Sequence, residues 1–255
     1  MKPETREHEA QRQAILQRID EHGLAARRDV LAAMLRPAVA LKTRPVTDDD
    51  LAVGATRVGG EPDLPHDLAW PVGEEGPLLF VLQVRLRQVE PFDLEGLLPA
   101  DGLLSVFADA FARDVRVMHH PPGLPLTRRA TPTGSPRPPF RACGVEVLPE
   151  LHLPPPGSDF VELTGDELDA YWDDVWLPWR ESIRPGPAGE CGIHQLLGYA
   201  VAERLEAQGV DEEVLVGFDS DDRAAMQWGD VHCVWALIPR ERLVARAFGE
   251  LRVEM

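Results

Sequence analysis

The chain has 255 residues, 44 % hydrophobic and 27 % charged, the balance of a globular protein with enough apolar surface to build a core. Asp and Glu outnumber Lys and Arg by 43 to 26, a formal charge of −17 that repels polyanions and argues against nucleic acid as a partner. The longest run of large apolar residues, Leu78 to Leu82, falls far short of the roughly 20 needed to span a bilayer. The charged N-terminus has no apolar signal region behind it, so no membrane partner and a cytoplasmic location are expected.

Three cysteines, Cys143, Cys191 and Cys233, lack disulfide-framework spacing and read as reduced thiols. Thr5 to Ile19 places Ala10, Ala14, Ile15 and Ile19 at helical spacing, with Gly23 as a stop. A shorter helix is expected from Arg28 to Leu35, then an extended segment from Ala38 to Lys42. From Gly54 to Pro71, glycine and proline predict an ordered loop without regular structure.

Leu78 to Val84 and Gly102 to Phe107 have the length and composition of buried strands, and Val115 to Met118 continues the sheet. His119 to Arg141 carries seven prolines and the basic island Arg128, Arg129, Arg137 and Arg141, which predicts a long, partly mobile loop. Cys143 to Leu148 alternates as a strand does, and Pro154 to Pro156 end its continuation. Thr164 and Glu167 have the spacing of a capping box opening a helix through Trp172 and Trp176, both read as core. Leu196 to Ala207 is read as helical.

Val214 to Ser220 followed by Gly229 to Trp235 repeats the rhythm of Leu78 to Val84 followed by Asp101 to Phe107. A duplicated strand-loop-strand unit is therefore expected. The expected fold class is α+β: an antiparallel-strand-rich single domain over residues 37–255 with two pseudo-repeated sheet halves, and N-terminal helices over 1–36 packed on it.

Several motifs occur together in order. Gly59-Gly60-Glu61-Pro62-Asp63-Leu64-Pro65 with Trp70-Pro71 is followed by Pro77 to Gln83, Leu98-Pro99 with Gly102 to Phe107, and His194 to Tyr199. Asp219-Ser220-Asp221 and Met226 to Asp230 complete the series. This set resembles the YwqG-like bacterial family, a domain of unknown function (DUF1963), over Arg57 to Phe248, with departures at Gly217, Val231 and Val234-Trp235. The resemblance implies a single α+β domain, brings no established catalytic residue, and associates the chain with immunity partners of bacterial polymorphic toxins.

Three groups of residues could carry chemistry. Asp219, Asp221 and Asp230, with Asp222, could hold a divalent cation or act as acid and base, or could simply cap a turn. Cys191 with His194, and His232 with Cys233, offer zinc-type ligands, although adjacent strand residues face opposite ways. Trp70 and Trp228 sit in irregular motifs, where they either line a pocket or plug gaps under loops. The candidate binding pocket comprises Gly59, Gly60, Pro62, Trp70, Gln83, Asp219, Asp221, Trp228 and Asp230. No nucleotide-binding fingerprint is present and no cofactor is expected.

The leading expectation is a binding or interaction protein, an immunity-type partner presenting an acidic face to a basic toxin domain. The alternatives are a metal-dependent hydrolase and a small-molecule-binding protein, each using the Asp219, Asp221 and Asp230 cluster.

Overall fold

The computed structural model describes residues 2–184, 194–200, 208–230 and 233–255. Helix α1 (Arg6–Glu21) starts at Thr5, whose side chain accepts the His8 N–H. Helix α2 (Arg28–Ala33) leads into strand β1 (Arg36–Pro45). Short strands β2 (Arg57–Val58) and β3 (Asp63–Pro65) and the ribbon β4 (Val72–Gly73) with β5 (Gly76–Pro77) precede β6 (Leu79–Arg85). Helix α3 (Leu86–Val89), β7 (Leu103–Ala108), β8 (Val115–His120), β9 (Leu126–Arg128) and β10 (Cys143–His152) follow.

A continuous helical stretch then runs through α4 (Asp166–Ala170), a π-helical turn (Tyr171–Trp176) and α5 (Leu177–Ile183). Strands β11 (His194–Leu197), β12 (Glu212–Asp219) and β13 (Cys233–Pro239), helix α6 (Arg240–Val244) and β14 (Arg252–Glu254) complete the described chain.

Ten strands form one antiparallel sheet in the order β14-β13-β12-β11-β1-β10-β2-β6-β7-β8. Its ends approach each other, with His119 edge-on to Phe248 at 6.4 Å between ring centroids. One face closes over an apolar core drawn from both ends of the sheet, including Val81, Val106, Leu215 and Val234. The other face of β10 carries Leu151 and Leu153 into a second core with Ile15, Ile19, Tyr171, Val175 and Trp179. The N-terminal helices therefore pack on this face, and Gln11 fixes α1 by bonding the Pro149 carbonyl and the Leu151 N–H.

The order is symmetric about its centre. Strand β1 pairs with β10 over ten residues, and each then pairs with a short strand from the other half: β1 with β11, and β10 with β2. Outside these lie the equivalent trios β12-β13-β14 and β6-β7-β8. Finer features agree. Val81 is an extra residue between the pairs Phe80↔Phe107 and Leu82↔Val106, and Leu215 is one between Val214↔Leu237 and Val216↔Ala236.

Gln83 pairs with Arg57, and Gly217 with Gln195, two residues after each bulge. Each short strand ends in two consecutive left-handed residues, Gly59-Gly60 and Leu197-Gly198. The duplicated unit expected from sequence thus occupies equivalent places, in a register two residues from the one the apolar rhythm suggested.

Other expectations are corrected. The Gly54 to Pro71 segment contains β2 and β3, because Arg57 and Val58 complete the ladder between β10 and β6. Within His119 to Arg141, His119 and His120 finish β8, and β9 pairs with β3. Gly165 is the N-cap of α4, and Glu167 instead pairs with Arg27 at 2.9 Å, so Thr164 and Glu167 make no capping box. Leu196 and Leu197 are strand, not helix, and residues 201–207 of that expectation lie outside the described residues.

The π turn also changes which side of the helix faces the core. Tyr171 and Val175 are fully buried and Trp176 is 6 % exposed, whereas Trp172, expected in the core, is 46 % exposed. No helix among the described residues is long and apolar enough to cross a membrane.

Gly217 shows how the two halves are packed differently. A methyl group there would lie 2.3 Å from Cζ3 of Trp235, whose indole covers the glycine backbone. Gly217→Ala is expected to lower stability by about 1–3 kcal/mol, the usual cost of overpacking. Urea unfolding would show a smaller loss for the same change in a Trp235→Leu background, because the two residues share one space.

Candidate functional site

The glycine-rich motif builds a buried polar network. Gly59 donates to the Val81 carbonyl and Gly60 to that of Phe140. Their left-handed conformations and close neighbours require glycine: a methyl on Gly59 would stand 2.2 Å from the Arg141 carbonyl oxygen, and one on Gly60 2.5 Å from Asp48 Oδ1. Behind this turn Arg57 is wholly buried, its guanidinium against Asp48 and 3.6 Å from Asp63.

Asp63, also wholly buried, accepts from Gly54 N–H (2.9 Å), Gln83 Nε2 (2.8 Å) and Arg128 Nε (3.1 Å). Gln83 Oε1 in return accepts the Asp63 N–H at 2.8 Å. Burial lowers the pKa of Arg57, and the charges of Asp63 and Asp48 oppose that shift. Pro62 is buried in the same turn, and its carbonyl accepts the Arg129 N–H. Gly59, Gly60, Pro62 and Gln83 therefore lie together around a buried ion-pair network, in which Arg57 Nε and Nη2 have no hydrogen-bond acceptor.

Trp70 packs edge-on to Phe107 at 5.3 Å and donates to the Leu78 carbonyl at 2.9 Å. Trp228 is 1 % exposed between Phe140 and Phe218, 5.5 and 5.2 Å away, with no acceptor for its Nε1–H. Both tryptophans fill space under loops. The glycine turn and the Trp228 turn are linked through one segment, since Phe140 touches both and Arg141 donates to the Ala224 carbonyl.

Asp221 is fully buried. One carboxylate oxygen takes Thr43 Oγ1 at 2.7 Å and lies 3.3 Å from His194 Nε2, while the other accepts the Arg223 N–H at 2.9 Å, the turn-forming role. Because the Asp219 N–H points at His194 Nδ1 (3.4 Å), that nitrogen is the acceptor and Nε2–H donates to Asp221. Burial alone would raise the Asp221 pKa, but the His194 and Thr43 hydrogen bonds lower it.

Asp219 is 6 % exposed and accepts the Ser220 N–H, whereas Asp230 is exposed. Among the described residues no three His, Cys, Asp or Glu side chains are placed to hold one metal ion. Cys191 and His232, two of the four zinc-type candidates, lie outside the described residues. Cys143 and Cys233 are free thiols whose pKa values are raised by burial, that of Cys143 to about 11, so neither is an activated thiolate.

Two features escaped the sequence reading. The first is a polar group at the end of β10: Arg184 Nε bonds both oxygens of Glu150 (3.1 and 3.0 Å), and its Nη2 reaches Gln195 Oε1 at 2.9 Å. His152 Nδ1 accepts the Tyr199 N–H at 3.3 Å, leaving Nε2–H for Glu150 at 2.9 Å. Beside this group a cleft opens between α5 and the sheet. The detectable signal was Arg180 and Arg184, four apart on an apolar helix in a chain otherwise rich in acid.

The second is an acidic surface. Trp172 projects from the π turn with Asp166, Asp169, Asp173 and Asp174 exposed around it. Helix α1 adjoins this surface, where Arg18 bonds the Asp174 carbonyl, and carries a shallow groove lined by Leu16, Asp20 and Glu21.

Burial disfavours ionisation of Glu150, but the Arg184 charge and the His152 hydrogen bond hold its carboxyl down to about 2, against 4.5 when unperturbed. Because the folded-state value is the lower one, its stabilisation is complete above about pH 4.5 and disappears as pH falls towards 2. Glu150→Gln is expected to cost about 3–5 kcal/mol at neutral pH by leaving Arg184 unpaired. Urea midpoints measured from pH 7 to 2 should then fall less steeply below pH 4.5 in the variant than in the wild type.

A comparison with curated proteins gives no match. A family model described as a domain of unknown function (DUF1963) matches residues 56–255, the stretch from just before β2 through β14 that contains every motif above. The chain therefore belongs to the DUF1963 family.

Proposed function

We propose that the protein is a binding protein whose acidic face docks a cationic protein domain, as an immunity-type partner would dock a basic toxin domain. The observation that carries this reading is Trp172, 46 % exposed on a surface of Asp166, Asp169, Asp173 and Asp174. An exposed indole costs solvation unless something covers it, and Trp is the residue type most often found as an interface anchor. The surrounding carboxylates supply complementary charge, and the net −17 steers a basic partner towards them.

Exposed Asp20, Glu21 and Asp29 extend the acidic surface onto α1 and the start of α2. Its arginines are largely matched already, Arg27 to Glu167 and Arg28 to Asp20. What remains for a partner is negative.

The test uses the full chain and a basic toxin-type domain encoded beside its gene. Association should slow steeply as salt is raised, and Trp172→Ala should weaken binding about tenfold or more without lowering the melting temperature. Absence of binding, or binding insensitive to both salt and Trp172→Ala, refutes the proposal.

A further inference from the structure

The cleft between α5 and the sheet is lined by Trp176, Trp179, Arg180, Arg184, Gln195 and Trp235, with His152 at its base. It encloses about 400 Å³ of empty space including its mouth. The walls are apolar and aromatic, and the polar groups without a partner are donors. Trp235 is 2 % exposed, and its buried Nε1–H has no acceptor. A buried donor left unmatched is costly and rare in a folded protein.

Arg180 is the second unmatched group. Its guanidinium stands over Trp176 at 5.4 Å and has no carboxylate within ion-pairing distance among the described residues, although it is partly buried. Burial and the neighbouring Arg184 charge both lower its pKa, while Asp219 and Glu181 act on it only from beyond pairing distance. Arg184, by contrast, is neutralised by Glu150, and both nitrogens of His152 are engaged.

We infer that this cleft binds the carboxylate of a small aromatic acid, with Arg180 as its ion-pair partner and Trp235 Nε1–H as a further donor. One uncompensated positive charge calls for a monoanion, which favours a carboxylate over a phosphate monoester carrying about −1.5 to −2. A planar carboxylate also matches the guanidinium fork. The aromatic walls offer a ring apolar contact.

The two halves differ at this place. In the other half the equivalent place beside Gln83 and Arg57 is occupied by a carboxylate of the chain itself, Asp63. In this half Gln195 pairs with Gly217 where Arg57 pairs with Gln83, and no described side-chain carboxylate lines the cleft.

The experiment titrates the purified full chain with benzoate, following tryptophan fluorescence and melting temperature, with benzamide and inorganic phosphate as comparison probes. Benzoate should quench the fluorescence and raise the melting temperature, whereas benzamide and phosphate should do neither. Arg180→Gln should weaken benzoate binding at least tenfold and Trp235→Phe severalfold. Arg180→Lys should bind with intermediate strength. No response to benzoate, an equal response to benzamide, or preference for phosphate would each overturn the inference.

Discussion

The ladder between β1 and β10, from Arg36↔His152 to Pro45↔Cys143, is the constraint on which the rest of the molecule depends. Each half of the chain contributes one long strand to the centre of the sheet and places its remaining strands on the far side of the partner's long strand. Neither half can therefore complete its sheet alone. The same ladder sets the register of β2 and β11, which carry the paired left-handed residues, and so fixes where the glycine turn and the His194-Gln195 segment lie.

The halves share a backbone plan and differ in how they fill it. Gln83 opposes Ser105 across β6 and β7, while Gly217 opposes Trp235 across β12 and β13. A large residue faces a small one in both cases, but the large one comes from opposite strands. In the first half the space above is closed by β3 and β9, whose Asp63 and Arg128 join a charge network centred on the fully buried Arg57 and Asp63. In the second it is covered by α4, the π turn and α5, which leave an aromatic cleft beside Arg180 and Arg184. One half has become scaffold and the other has kept an opening.

Charge is distributed in the same uneven way. Inside, Arg57 and Arg128 share the buried carboxylate of Asp63 and Arg184 is held by that of Glu150, while the buried Asp93 and Asp221 are held by hydrogen bonds. Desolvating such groups is costly unless they are paired and hydrogen-bonded, which explains why Asp63 and Asp221 take three polar contacts or more. On the surface, exposed carboxylates surround Trp172 and continue to the end of α1.

The sequence by itself was enough for the α+β class, the N-terminal helices, the principal apolar strands and the echo between the two halves, because helical spacing and apolar runs are local signals. Its motif residues, from Gly59 to Trp228, were also legible, though not their roles. Whether Asp63 or Asp221 is a ligand or a strut depends on what faces it, and Arg57, Arg128, Thr43 and His194 come from distant parts of the chain. Only the tertiary structure exposed Trp172 while burying Trp176, since a π turn leaves no mark in apolar spacing. Only it brought Arg180, Arg184 and Trp235 to one cleft, because that meeting depends on a helix crossing a sheet whose strands are set by pairing between segments 98 to 116 residues apart.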